Sequence, residues 1–213
     1  MRRGMTYVGI LLVIVGLTFL GWASWEYAGT NWTSHRHQRA AVHALTQQWE
    51  STTGSATVTT KWGKAEAIVR IPRFGSDYAV PVFEGTGDTA LAAGLGHFDG
   101  TAAAGGPGNY VLAGHRVTHG EPLHNMASLR VGDRVVVETK TATYTYRMIS
   151  VGNALTVSFK DTWVLDDQPV NPKPSGYTPA LQADMLTLVT CSELFHTNNR
   201  WVAFATLDHV DQN

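Results

Sequence analysis

The sequence predicts a mostly β domain carried behind one N-terminal membrane-spanning helix, and three observations point there. Only 15% of the 213 residues are charged, while 21 glycines and many threonines and valines favour strands and tight turns over long surface helices. An uncharged run from Gly4 to Trp25 matches the roughly 20 residues that cross about 30 Å of hydrocarbon as a helix. Beyond residue 64, short β-rich runs alternate with turn signals, and no repeat of 20 to 50 residues interrupts them. With 44% apolar residues, the part outside the apolar run suits one core and one domain.

The N-terminal segment, residues 1–27, sets the compartment. Arg2 and Arg3 precede the apolar run, so the positive-inside rule keeps them cytoplasmic and places the rest of the chain outside, with Trp22, Trp25 and Tyr27 at the outer interface. A cleavable signal peptide is the competing reading, since Gly21 and Ala23 give small residues where a signal peptidase inspects. The run exceeds the usual 7–15-residue core of such a peptide, which favours an anchor. Both versions export the domain.

Residues 28–63 read as a spacer. Ala41, Leu45 and Trp49 lie four apart in "HRHQRAAVHALTQQW", predicting a short amphipathic helix over 35–49. The stretch "STTGSATVTT" that follows is small, polar and uncharged, as linkers are. His35, His37 and His43 are read as solvated spacer residues rather than a metal cluster.

The folded domain, residues 64–213, opens with "AIVRIPRF" and "YAVPVFEG", strands whose prolines suggest edges or bends. "DTALAAGLGHF" predicts a helical turn or two with Asp88 as N-cap. The glycine-rich "DGTAAAGGPGN" lacks GK[ST] and a βαβ setting, so it reads as a loop and not a phosphate cradle. "YVLAGH" is an apolar strand ending in histidine, and "RVVVETKTATYTYRMISVG" reads as a hairpin split at Lys140-Thr141. The proline-rich "DDQPVNPKPSGYTPALQAD" is a long loop. "MLTLVTC" and "RWVAFATL" are two strands separated by "SELFHTNN".

A formal net charge of −1 and the lack of any lysine/arginine run exclude a nucleic-acid partner. Chemistry instead centres on Cys191, the sole cysteine. In an exported chain cysteines come in pairs, so a leftover one is either an inert buried thiol or a reactive one. Cys191 closes an apolar strand where the chain turns, which places it at a sheet rim. A nucleophilic thiol needs a cation to favour the thiolate and a donor for the oxyanion that its attack creates. Arg200 starts the next strand, and antiparallel pairing would set it beside Cys191; its guanidinium stays charged and offers five donors. His115 is the best placed proton partner, ending its strand after Gly114, where a tight backbone turn is expected. His119 and His124 follow, and His115, His119 and His124 with Cys191 offer a zinc-binding alternative, although Gly120 and Pro122 break the helix that would face His115 and His119 the same way. His97, His196 and His209 read as ordinary surface or edge residues.

"LAGHR", "LTLVTC" and the Arg200 that heads "RWVAFATL" resemble, in that chain order, the signature segments of the sortases, the cysteine transpeptidases of Gram-positive cell surfaces. The likeness covers residues 66–208, and the stretch from Gly96 to Asp133 is similar to the class E sortases of actinobacteria. It implies a closed eight-stranded β-barrel with short helices and an N-terminal membrane tether. It also implies catalytic roles for His115, Cys191 and Arg200, with Thr190 and His119 contacting substrate. The expected reaction cleaves the Thr–Gly bond of an LAXTG or LPXTG sorting signal and transfers the surface protein to an amine of a peptidoglycan precursor (lipid II) or a pilin. No cofactor or metal is implied; carboxylates such as Asp166 and Asp167 are scattered rather than clustered for calcium. Papain-like hydrolases place cysteine before histidine, whereas here it follows. A membrane-tethered β-barrel that only binds peptide or zinc is the remaining rival.

Overall fold

The computed structural model describes residues 2–25, 29–51, 54–173, 175–191 and 198–213. Tyr27 and His196 fall outside the described residues. Helix α1 (Arg2–Ser24) carries the apolar stretch Gly4–Ser24, none of it buried against the rest of the chain. Leu11, Leu12, Ile14 and Phe19 are all more than half exposed, an arrangement suited to hydrocarbon rather than water.

Helix α2 (Thr30–Glu50) is longer than its periodicity predicts. Ala41 and Leu45 are buried against Ala65, Ile68 and Phe83 of the sheet, and Trp49 packs beside them, so the spacing of four does mark the inward face. Trp49 Nε1 donates to the Ala56 carbonyl at 2.9 Å, and the chain then enters strand β1 (Val58–Thr60).

The remaining strands are β2 (Gly63–Arg70), β3 (Val80–Glu84), β4 (Leu95–His97), β5 (Gly108–Ala113), β6 (Arg134–Glu138), β7 (Ala142–Met148), β8 (Leu155–Ser158), β9 (Asp184–Cys191) and β10 (Asn199–Gln212). Eight of them form a ring in the order β2-β3-β4-β5-β9-β10-β7-β6, closed by the β2–β6 pairing in which Ile68 faces Glu138 and Arg70 faces Val136. Strand β1 adds outside β2, and β8 pairs with the first residues of β10. This is the closed eight-stranded barrel that the sequence resemblance implies.

Strands β5 and β9, and β10 over Val202–Ala205, are buried on both faces, which is why they read as continuous apolar runs instead of alternating ones. Their inward residues Tyr110, Leu112, Leu186, Leu188, Ala203 and Ala205 fill the barrel. Their outward residues Val111, Met185, Val189, Val202 and Phe204 pack under Val157 of β8 and Val164. Each large apolar side chain fully buried this way contributes about 1.5–3 kcal/mol.

The 134–152 stretch folds as the predicted hairpin, with Glu138 opposite Thr143. Elsewhere local expectation yields to tertiary contact. The helical turn or two expected within 88–98 is the single turn α3 (Asp88–Leu91), but Asp88 is its first residue rather than its cap, which is Gly87. Residues 95–97 become a strand parallel to β3, because Gly94 and Gly96 let backbone approach backbone: a Cβ on Gly94 would sit 2.3 Å from the Pro81 carbonyl oxygen. Pro81 itself lies within the ring and not at an edge; the ladder to β4 begins one residue later, at Val82. Strand β8, with four residues, is too short to show a period in the sequence.

Candidate active site

Three strand ends build the site. On β10, Arg200 is the direct cross-strand partner of Cys191 at the end of β9, and on its other side it pairs with Val157 of β8. Opposed residues of an antiparallel pair have Cα atoms about 4.5–5.5 Å apart and side chains on one face. Cys191 is a free thiol, half-buried. It follows Met185, Thr187 and Val189 along the outward face of β9, and Arg200 precedes Val202 and Phe204 on the same face of β10.

The third end belongs to β5, which runs parallel to β9 with Ala113 beside Val189. Gly114 extends that pairing: its N–H donates to the Val189 carbonyl at 3.1 Å, and its own carbonyl accepts from the Thr190 hydroxyl at 2.7 Å. His115 therefore leaves the sheet from a residue pinned to the two residues before Cys191. A tight turn is not what Gly114 supplies. Its role is space, since a Cβ there would meet Leu95 Cδ2 at 2.6 Å and Leu123 Cγ at 3.1 Å. Toward the opposite end of the same two strands a polar pair is satisfied internally: Thr187 donates to Asn109 at 2.7 Å, and the Asn109 amide donates to the carbonyls of Val164 and Asp166.

Beyond His115 the chain forms a loop closed by the Leu123 N–H to the His115 carbonyl at 3.0 Å. The His119 ring stacks on the His115 ring, 4.7 Å between centroids and 27° from parallel. Thr190, expected to contact substrate, is 2% exposed with its hydroxyl on Gly114, so its contact in the fold is with the backbone that carries His115. His124 points elsewhere, to Glu121 at 2.6 Å. Among the described residues no group of three or more His, Cys, Asp or Glu is placed to hold a metal ion, which leaves the zinc alternative without a ligand set there.

Sequence reasoning missed two neighbours. The Arg116 guanidinium lies over the Trp201 ring at 4.5 Å, and Trp201 is the cross-strand partner of Thr190. Each is the residue directly after a singled-out one, so "HR" and "RW" held the signal, though only the β9–β10 register brings them together. It also missed His97. This residue is not an edge histidine: Nδ1 meets Glu66 at 2.9 Å, Nε2 meets the Ala102 carbonyl at 3.0 Å, and the Tyr110 hydroxyl donates to the same Glu66 carboxylate. Burial lowers the His97 pKa, but the Glu66 carboxylate, the Ala102 carbonyl and the Asp99 charge together outweigh it and the pKa is raised. A separate cleft of about 560 Å³, lined by Trp32, Gln38, Tyr78 and Glu121 among others, lies between α2 and the loop after His115.

Residues 69–208 match the sortase domain family. Sortase SrtE1 of Streptomyces coelicolor is 31% identical over 207 residues, which are 94% of this chain and 56% of that protein. The chain thus spans about half the length of that curated relative. Sortase D of Bacillus subtilis is 25% identical over 151 residues, 67% of this chain and 74% of the other. Among solved structures, sortase E from Streptomyces avermitilis superimposes with a TM-score of 0.60 at 36% identity, covering 72% of this chain and 93% of that one. Sortase E1 from Streptomyces coelicolor, solved with a tripeptide in its active site, gives 0.58 at 28% identity, covering 73% and 94%.

Proposed function

We propose, from the premise that this chain belongs to the sortase family, that it is a cysteine transpeptidase acting through Cys191, His115 and Arg200. The observation that carries this reading is the register that sets Arg200 opposite Cys191, beside a strand end pinned one residue before His115.

In this reading the Cys191 thiolate attacks the threonine carbonyl of an LAXTG- or LPXTG-type sorting signal. The sulfur–carbon bond forms, and the carbonyl oxygen becomes an oxyanion facing the Arg200 guanidinium. As the tetrahedral species collapses, the C–N bond to glycine breaks and the His115 imidazolium gives its proton to the departing amine. A thioester remains. An amine of lipid II or of a pilin attacks it, His115 takes the proton back, and the thiolate leaves. A stacked His119 flanks the imidazole and faces the peptide's second signal position. The apolar helix α1 tethers the enzyme as a single pass, with the catalytic barrel outside the cell membrane and surface proteins as its substrates.

The test uses the full chain in detergent micelles and a fluorogenic LAXTG or LPXTG peptide. Cleavage is expected, with turnover accelerated by triglycine or hydroxylamine and abolished alike by Cys191→Ala, His115→Ala and Arg200→Ala. A protein that binds the peptide without cleaving it, or that carries zinc removable by EDTA, would overturn the reading.

A further inference from the structure

We propose that Asn31, near the start of helix α2, is a positioning residue for His115, acting through the loop that follows it; the inference rests on the transpeptidase reading above. Three consecutive residues of that loop, His119, Gly120 and Glu121, hold positive φ angles of 55°, 77° and 47°. Left-handed backbone costs a residue other than glycine about 1–2 kcal/mol. It persists only where the surroundings over-determine it.

Within the loop, Glu121 bonds to Thr118 and His124, and from outside it Asn31 adds the hold that spans the stretch. Its Oδ1 accepts from the Gly120 N–H at 2.9 Å, while its Nδ2 donates to the Glu121 carboxylate and to the Val117 carbonyl at 3.4 Å. One amide thus binds the middle of the left-handed stretch, the residue after it and a residue before it. Further along the same helix face, Ser34 and Gln38 are buried against Gly120, where a Cβ would come within 2.5 Å of Gln38 Nε2. The helix has two distinct attachments. Ala41 and Leu45 seat its later turns in an apolar cluster remote from the site, and its first turn holds the loop. Because His119, inside the clamped stretch, stacks on His115, fixing the loop fixes one wall of the imidazole's position. Without Asn31 the loop relaxes to ordinary backbone, and the His119 ring moves off His115.

The full chain, ¹³C-labelled on histidine and held in detergent micelles, gives a readout that does not depend on turnover. Wild type is expected to show the His115 and His119 ring signals displaced by mutual stacking, with His115→Gln supplying the assignment. Asn31→Ala should return them toward free-histidine positions. It should also lower kcat on the order of tenfold to a hundredfold with KM unchanged, as misplacement of a reacting group does. Leu45→Ala, which loosens the same helix away from the loop, should lower the melting temperature yet leave the ring signals in place. Should Asn31→Ala fail to fold, Asn31→Asp keeps the acceptor for Gly120 and loses the donor, and the signals should still shift. Unmoved ring signals in the folded Asn31 variants, or a wild type without the stacking signature, overturn the inference. A wild type with stacked rings that cleaves no peptide sinks the transpeptidase reading instead.

Discussion

The Thr190 hydroxyl donates to the Gly114 carbonyl at 2.7 Å, joining the residue before the cysteine to the residue before the histidine across 76 positions of sequence. Both are interior, and Thr190 is 2% exposed. Thr190→Val keeps the shape and removes the donor, leaving a buried carbonyl without that partner. We expect a loss of about 1–3 kcal/mol in thermal unfolding, with near wild-type stability in Thr190→Ser. Equal stability of the valine and serine variants would contradict this role for the bond.

Arg200→Lys retains the charge opposite Cys191 but not the planar fork of donors. If the guanidinium binds the oxyanion by directed hydrogen bonds, kcat against the fluorogenic peptide should fall by about 10²–10³-fold, as for loss of an oxyanion donor. A lysine variant within a few-fold of wild type would reduce Arg200 to a point charge.

The His97–Glu66 pair makes stability depend on pH. The folded His97 pKa is raised above its unfolded value near 6.5, so the protonated form binds the fold more tightly. Its contribution is fully present below the unfolded pKa and is lost as pH rises through the folded value. Denaturation midpoints should therefore fall across that window, and His97→Gln or Glu66→Gln should remove this component. A pH series in which wild type and His97→Gln run parallel would count against the pairing.

Leu45 is 0% exposed between α2 and the sheet. Truncation to alanine should cost about 2–5 kcal/mol, measured by denaturant unfolding. A change within error would mean that α2 does not pack on the barrel in solution.

Much of this molecule was legible locally. Helix α1 followed from the length of an uncharged run, which is long and apolar enough to cross a bilayer. The paired strands 134–138 and 142–148 followed from alternation around Lys140-Thr141. Cys191 and Arg200 were found because a strand, a turn and a strand have one economical pairing. Strand β4, after the helical turn that the sequence did show, was not legible because the glycines at 94 and 96 serve a close approach to Pro81 and Gly85 that only the folded neighbours create.

By itself, the sequence determined a β domain behind an apolar helix of membrane-spanning length, with a lone thiol ending one strand, an arginine starting the next and a histidine ending an earlier one, since residue type and period are local properties. Only the tertiary structure decided that Gly114 is pinned to Val189 and Thr190, that Arg116 stacks on Trp201, and that the helix after the anchor reaches back to Gly120. Those contacts join segments tens of residues apart, and their partners are chosen by barrel closure and register, which no single stretch of chain encodes.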